Sequence, residues 1–141
     1  MKGWFADSIE STIRNLEEKG QVRLLGYVAD GVLPQLYAGA TVLLYPSLYE
    51  GFGLPPLEAM ASGIPVITSN QSSMPEVVGD AGYTIDPGDT ASMTAAMQAL
   101  IEAADQRNIC IERGLVRARR FSWERCAEQT LAVYQLALSG R

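Results

Sequence analysis

The sequence contains no histidine and only two cysteines, Cys110 and Cys126. The missing histidine removes Ser-His-Asp and Cys-His nucleophile pairs, and every His-ligated metal site, from the chemistry this chain can supply. The cysteines stand far from any Cys-x-x-Cys spacing and fall in helical patterns near the C-terminal end. They read as reduced residues, core or half-buried, of a cytoplasmic protein rather than as a disulfide or metal pair. Basic residues are also scarce, with 11 Lys and Arg against 16 Asp and Glu and a net charge of −5. With Lys and Arg clustered in one short stretch only, that balance argues against a nucleic-acid partner. No apolar run approaches the roughly 20 residues that a spanning helix needs, and residues 1–7 lack the apolar stretch of a signal peptide. What remains is a globular composition, 48% hydrophobic over 141 residues. It excludes disorder and suits one domain able to hold a core without disulfide or metal staples.

Asp7 and Glu10 have capping-box spacing ahead of Ile9, Ile13 and Leu16, and Gly20 is placed to end that helix. Residues 22–27 (Val-Arg-Leu-Leu-Gly-Tyr) read as a short strand. Asp30 is placed to cap a helix over residues 32–39, with Pro34 in its first turn. Residues 41–46 (Thr-Val-Leu-Leu-Tyr-Pro) form a nearly continuous apolar run of the kind buried on both faces of a parallel sheet. A glycine-rich loop leads to a helix over residues 54–62, stopped by Gly63. Residues 65–68 then read as a buried strand, 74–78 as about one helical turn, and 83–85 as a last strand closed by the turn Asp86-Pro87-Gly88-Asp89. Helices follow. One carries the stripe Met93, Ala96, Met97, Leu100, Ile101 and Ala104. Another carries Arg113, Arg117, Arg119 and Arg120, read as a solvated face. A third is capped by Ser122 and places Trp123, Ala127, Leu131, Tyr134 and Leu138 on one side. The alternation predicts βαβ units, a parallel sheet covered on both faces and an α/β fold.

The chemistry concentrates in residues 45–69, which read strand, glycine-rich loop, helix, strand. In doubly wound sheets ligands bind where the carboxyl end of a strand meets the next helix. That helix end offers unpaired N–H groups and partial positive charge to a phosphate. Gly51 and Gly53 permit close backbone approach. Pro55 and Pro56 carry no N–H, so donors are confined to residues 51–54 and then to Leu57 onward. Taken alone, the Gly-Phe-Gly triplet reads first as a tight turn and only second as a ligand loop. Glu50 and Glu58 bracket the loop. A carboxylate repels phosphate but accepts sugar hydroxyls strongly, so one glutamate suits a hexose and the other a ribose diol.

Glu50 and Glu58, with the seven residues Gly-Phe-Gly-Leu-Pro-Pro-Leu between them, resemble the paired-glutamate motif of the retaining glycosyltransferases of family four, which have the GT-B fold. Further blocks carry the resemblance over nearly the whole chain. They are Leu25-Gly26-Tyr27-Val28, residues 36–42 (with Thr41 where the family usually has Asp), residues 59–67, residues 75–82, and Phe121-Ser122-Trp123. The resemblance implies a partial Rossmann-like, doubly wound parallel sheet with C-terminal helices, the nucleotide-sugar-binding C-terminal half of such an enzyme. It implies Glu50 as the catalytic residue, touching donor-sugar hydroxyls. The amides of Gly51, Phe52, Gly53 and Leu54 would lie along sugar and pyrophosphate, Glu58 would hold the ribose, and Val28 with Tyr27 would hold the base. No cofactor or metal is implied, and no Asp-x-Asp occurs. The donor is expected to be GDP-mannose or a UDP-hexose. A sugar-nucleotide epimerase and a non-catalytic nucleotide-sugar-binding fragment are the alternative readings.

The family's Arg and Lys diphosphate clamp has no match here, Lys2 being out of position, and residues 1–4 read as a truncation. The acceptor-binding N-terminal domain is expected to be absent and the chain alone to be inactive. Peripheral membrane contact would belong to the full-length enzyme only. The same reading removes the first two strands of the domain, leaving residues 22–27 roughly 14 Å from residues 41–46. That strand is therefore expected to dock directly beside residues 41–46, or to pair in a strand-mediated dimer.

Overall fold

Parallel pairing needs apolar strands with helices to cover both faces, and residues 31–141 supply both. The computed structural model describes the backbone of residues 6–140 and the side chains of residues 9–140. The proposed Asp7 cap and Lys2 lie outside the described side chains. The chain divides into two units, Met1–Asp30 and Gly31–Arg141.

The first unit holds α1 (Ala6–Glu18). Gly20, at φ +66, ends it. The Gly20 N–H reaches the Glu17 carbonyl at 2.9 Å and the Gln21 N–H reaches the Leu16 carbonyl at 2.9 Å, the paired closure that a left-handed glycine permits. Residues 22–27 do not form the expected strand. They stay exposed, with Leu24 at 62% and Tyr27 at 89%, and the Leu24 N–H is taken by the Glu17 carboxylate at 3.0 Å. Apolar side chains alone do not make a strand; it must also find ladder partners for its N–H and C=O groups. Among the described residues none of 22–27 takes part in a sheet, so the expected strand pairing is not formed.

In the second unit, Pro34 enters the first turn of α2 (Leu33–Ala38), but Val32, not Asp30, sits at its N-cap, and no side chain caps it. The sheet follows, with β1 (Leu43–Tyr45), β2 (Val66–Ser69) and β3 (Tyr83–Ile85) in the order β1-β2-β3. Both pairings are parallel, with Leu43 opposite Val66 and Ile67 opposite Tyr83. β2, the middle strand, is buried throughout. β1, expected to be buried on both faces, is only half-buried, because among the described residues it has a strand neighbour on one side alone.

Successive strand residues face opposite ways, so the core has two halves. Leu43 and Val66 meet α3 (Leu54–Ala61) and α4 (Met74–Val78) through Ala59, Met60, Val77 and Val78. Leu44, Ile67 and Ile85 meet α5 (Thr90–Glu102) through Ala96 and Leu100. Asp89 caps α5 by accepting from the Ala91 and Ser92 N–H groups. Ile101, placed in the α5 stripe from sequence, is 52% exposed, and Ala104 begins the next helix, α6 (Ala104–Ala118). Arg107 of α6 closes the end of α5, its Nη1 donating to the carbonyls of Leu100 (2.9 Å) and Ile101 (3.0 Å). Gly114 of α6 lies against Met60 of α3, where a Cβ would meet Met60 Cγ at 3.2 Å.

Ser122 caps α7 (Trp123–Ser139), accepting from the Arg125 N–H. No residue of α7 is buried. Trp123 is 76% exposed, so it does not pack into this domain's core. Cys110 is buried and Cys126 exposed, both as free thiols. Among the described residues no helix is long and apolar enough to cross a membrane.

Candidate functional site

The three strands run parallel, so their carboxyl ends share one edge of the sheet. Tyr45 ends β1 there and leads through residues 46–53 into α3. Ser69 ends β2 and leads through residues 70–73 into α4. The two loops are fastened at Glu50. Its N–H donates to Ser72 Oγ at 3.3 Å, and its carbonyl accepts from Ser72 Oγ at 2.7 Å and Ser73 Oγ at 3.1 Å. Ser72 holds φ +55, the one non-glycine residue at positive φ among those described. Such a backbone conformation persists where surrounding contacts over-determine it.

The Glu50 side chain is fixed as well. Its Oε1 accepts from the Tyr45 hydroxyl at 2.6 Å and from Ser47 Oγ at 3.0 Å. The Tyr45 hydrogen bond, with Ser47 adding to it, holds the Glu50 carboxyl below its ordinary pKa against the opposing effect of partial burial. The same bond pushes the Tyr45 phenol up to about 12.

Beyond Glu50 the chain turns at Gly53, at φ +116, which is the N-cap of α3. That φ is what calls for glycine, and a Cβ there would also have to displace the Met74 Cε methyl. Leu54 opens the helix and prolines follow at 55 and 56. Among the described residues, the N–H groups of Gly51, Phe52, Gly53 and Leu54 have no hydrogen-bond acceptor. The fold therefore leaves four donors at a helix N-terminus, an arrangement suited to an anion.

Glu58, one helical turn further on, is exposed. Its Oε2 accepts from the Tyr37 hydroxyl at 3.4 Å. Burial, followed by the charge of Glu58, raises the Tyr37 phenol above its ordinary value. Glu50, residues 51–54 and Glu58 thus share this end of the sheet. Tyr27 and Val28 belong to the first unit, Tyr27 exposed and Val28 half-buried.

Two groups of residues escape a sequence reading. One comprises Tyr45, Ser47, Ser72 and Ser73, which hold Glu50; the signal available is a tyrosine closing an otherwise aliphatic strand. The other begins with Phe52, whose ring meets Phe121 edge-on at 5.8 Å and 76°. The Arg117 guanidinium lies 5.4 Å from the centre of the Phe121 ring. Arg117 Nε donates to the Val77 carbonyl at 3.0 Å, and Nη2 donates to the Glu76 carbonyl. Arg113 Nη1 donates to the Asp80 carbonyl at 3.3 Å. Arg113, Arg119 and Arg120 are exposed, as a solvated face requires, but Arg117 is half-buried, and Arg113 and Arg117 are bound to carbonyls of α4 and its following loop. Among the described residues, no group of three or more Cys, Asp or Glu side chains is placed to hold a metal ion.

The family model for glycosyl transferases group 1 matches residues 3–117. The chain belongs to the group 1 glycosyltransferase family. It is 47% identical over 135 residues to O-antigen chain mannosyltransferase B of Escherichia coli, a match covering 96% of this chain and 35% of that protein. It is 40% identical over 116 residues to MMP alpha-(1->4)-mannosyltransferase of Mycolicibacterium hassiacum, covering 79% of this chain and 28% of that protein. Among solved structures, sucrose-phosphate synthase from Thermosynechococcus elongatus superposes with a TM-score of 0.84 at 27% identity, over 99% of this chain and 36% of that one. Anabaena HepE, solved in complex with UDP-glucose, shares the fold with a TM-score of 0.81 at 23% identity, over 93% of this chain and 36% of that one. This group 1 chain has the α/β, partial Rossmann-like architecture of a GT-B half. It spans about a third of the length of the relatives it matches.

Proposed function

We propose that this chain is the donor-binding part of a retaining glycosyltransferase that moves a hexose from a nucleoside-diphosphate sugar to a glycan or lipid acceptor. One observation carries the reading. An ionised, fixed carboxylate, Glu50, adjoins four acceptor-free amides, those of residues 51–54, at a helix N-terminus. A diphosphate needs amide donors, a sugar needs a carboxylate acceptor, and a nucleotide sugar presents both needs a few ångströms apart. In this reading the amides take the diphosphate and stabilise it as it departs. Glu50 takes a hydroxyl of the hexose, and Glu58 takes the ribose diol. The bond from the anomeric carbon to the diphosphate oxygen breaks, a bond to the acceptor oxygen forms on the same face of the ring, and the acceptor's hydroxyl proton passes to the departing diphosphate. No metal is assigned a step.

Mannose is the hexose we favour, since the similar proteins named above include two mannosyltransferases, and GDP-mannose the donor. The acceptor site belongs to a further domain in a longer protein. Two free thiols suit the reducing cytoplasm, where we place the reaction.

Calorimetric titration of the chain with GDP-mannose, UDP-glucose and the parent nucleoside diphosphates tests the reading. We expect one sugar nucleotide to bind, GDP-mannose more tightly than UDP-glucose, and Glu50→Gln to weaken it about tenfold or more. Failure of a folded chain to bind any of the four ligands at millimolar concentration would overturn it. Release of an epimerised sugar nucleotide would favour the epimerase reading instead.

A further inference from the structure

The two oxygens of the Glu50 carboxylate are not equivalent. Oε1 receives two hydroxyl donors, Tyr45 at 2.6 Å and Ser47 at 3.0 Å. A carboxylate oxygen has about two lone-pair sites, so Oε1 is filled. Among the described residues Oε2 receives none. The two donors are also unequal. Ser47 has one proton, and its Oγ lies 3.2 Å from the Tyr49 carbonyl as well, so that proton is divided. Among the described residues the Tyr45 phenol has Glu50 alone as its acceptor. Tyr45 stands on the last position of β1, with its backbone locked opposite Thr68. A phenol on a strand has few torsions to lose and reaches a set distance from the sheet. The Glu50 main chain is held from the other side by Ser72 and Ser73, so neither end of the residue can turn away.

We propose that Tyr45 is a positioning residue for Glu50. By occupying Oε1 it leaves Oε2 as the single acceptor, aimed to receive a hydroxyl of the donor sugar. This rests on the reading that Glu50 meets that sugar, and it adds what sets the direction of the carboxylate. Tyr45 itself touches the carboxylate and not the reacting atoms. Its loss therefore lowers discrimination for the sugar and leaves recognition of the nucleoside diphosphate intact. A merely structural phenol would weaken both ligands together or neither.

The test compares the wild-type chain with Tyr45→Phe, Ser47→Ala and Glu50→Gln, each first shown by circular dichroism to be folded. At pH 7, where Glu50 is ionised in wild type and Tyr45→Phe alike, Tyr45→Phe should weaken the sugar nucleotide about tenfold. Its affinity for the matching nucleoside diphosphate should stay within about twofold of wild type, and Ser47→Ala should have the smaller effect on the sugar nucleotide. Equal weakening of both ligands, or none of either, would overturn the proposal. A second measurement needs no ligand. Carbon-detected NMR titration of the Glu50 carboxyl should show its midpoint rising toward the ordinary glutamate value in Tyr45→Phe, more than in Ser47→Ala. An unmoved midpoint would refute the Tyr45–Glu50 pairing. If wild type binds no ligand while that midpoint still moves, the failure lies with the donor reading and not with the pairing.

Discussion

The Arg117 guanidinium lies over the ring of Phe121, 5.4 Å from its centre, while its Nε holds the carbonyl of Val77 at 3.0 Å. One side chain on α6 therefore ties the end of α4 to the aromatic pair Phe121–Phe52, and through Phe52 braces the glycine loop from behind. Arg117→Ala removes charge-assisted bonds to two carbonyls and the stacked cation. It should destabilise the chain by about 2–3 kcal/mol, read from urea unfolding. Arg117→Lys should recover only part of this, because an ammonium cannot hold two carbonyls in a planar fork while lying on a ring.

A second expectation concerns Gly82, just before β3. A Cβ there would meet the Val66 carbonyl at 2.6 Å, Val66 Cγ2 at 2.7 Å and Val78 Cγ1 at 3.0 Å. Two of the three atoms are side-chain carbons of the buried core, and the third is strand backbone that cannot give way. Gly82→Ala should cost about 1–3 kcal/mol by overpacking and lower the thermal midpoint. A melting curve superposable on wild type would contradict this packing.

Leucines in this chain should differ sharply in worth. Leu100 is fully buried against Ile67 and Ile85, and Leu100→Ala should cost about 2–5 kcal/mol through the cavity it leaves. Leu131 and Leu138 of α7 are 56% and 73% exposed. Their alanine variants should change the stability of the core by less than about 0.5 kcal/mol. Chemical denaturation of the three variants side by side reads the contrast directly.

The Tyr45–Glu50 bond also sets a pH window. Hydrogen bonds from Tyr45 and Ser47 lower the Glu50 carboxyl. The benefit is therefore complete above the ordinary glutamate value and is lost as pH falls through the depressed one. The phenol works in the opposite sense, because its neutral form is the donor. Its contribution is complete below the ordinary tyrosine value near 10 and fades as pH rises through about 12. Absorbance titration of the six tyrosines should show late-ionising phenols. Glu50→Gln should return one of them to the ordinary range, and a curve unchanged by that substitution would sink the expectation.

Much of the second unit was legible because its signals are local. The apolar run of 65–68 became β2, Gly63 ended α3, and Asp86-Pro87-Gly88-Asp89 turned the chain into an α5 capped by Asp89. The fold class and the Glu50–Glu58 loop followed from the same alternation. What escaped depends on partners distant in the chain. Residues 22–27 are apolar enough for a strand, but apolarity does not supply a ladder. Arg117 looked solvated because the carbonyls it caps lie 40 and 41 positions away. Tyr45 looked like one more strand residue because the distinction between its two faces arises only once the loop folds back. The positions of Gly51 and Gly53 were readable from composition, whereas the serines that fasten Glu50 from the next loop were not.

The exposure of α7 has a thermal consequence. A helix of 17 residues without a buried side chain is held chiefly by its own backbone bonds, its Ser122 cap and the Arg125 guanidinium on the Arg120 carbonyl, and isolated helices of that length are marginal in water. It should melt as a helix–coil equilibrium, gradually and from low temperature, while the sheet and its helices melt together. Far-ultraviolet dichroism of the 141-residue chain should then slope steadily before its sigmoid. Calorimetry should register a heat capacity of unfolding smaller than the chain length suggests, since more than half of each large apolar side chain of α7 is already in water.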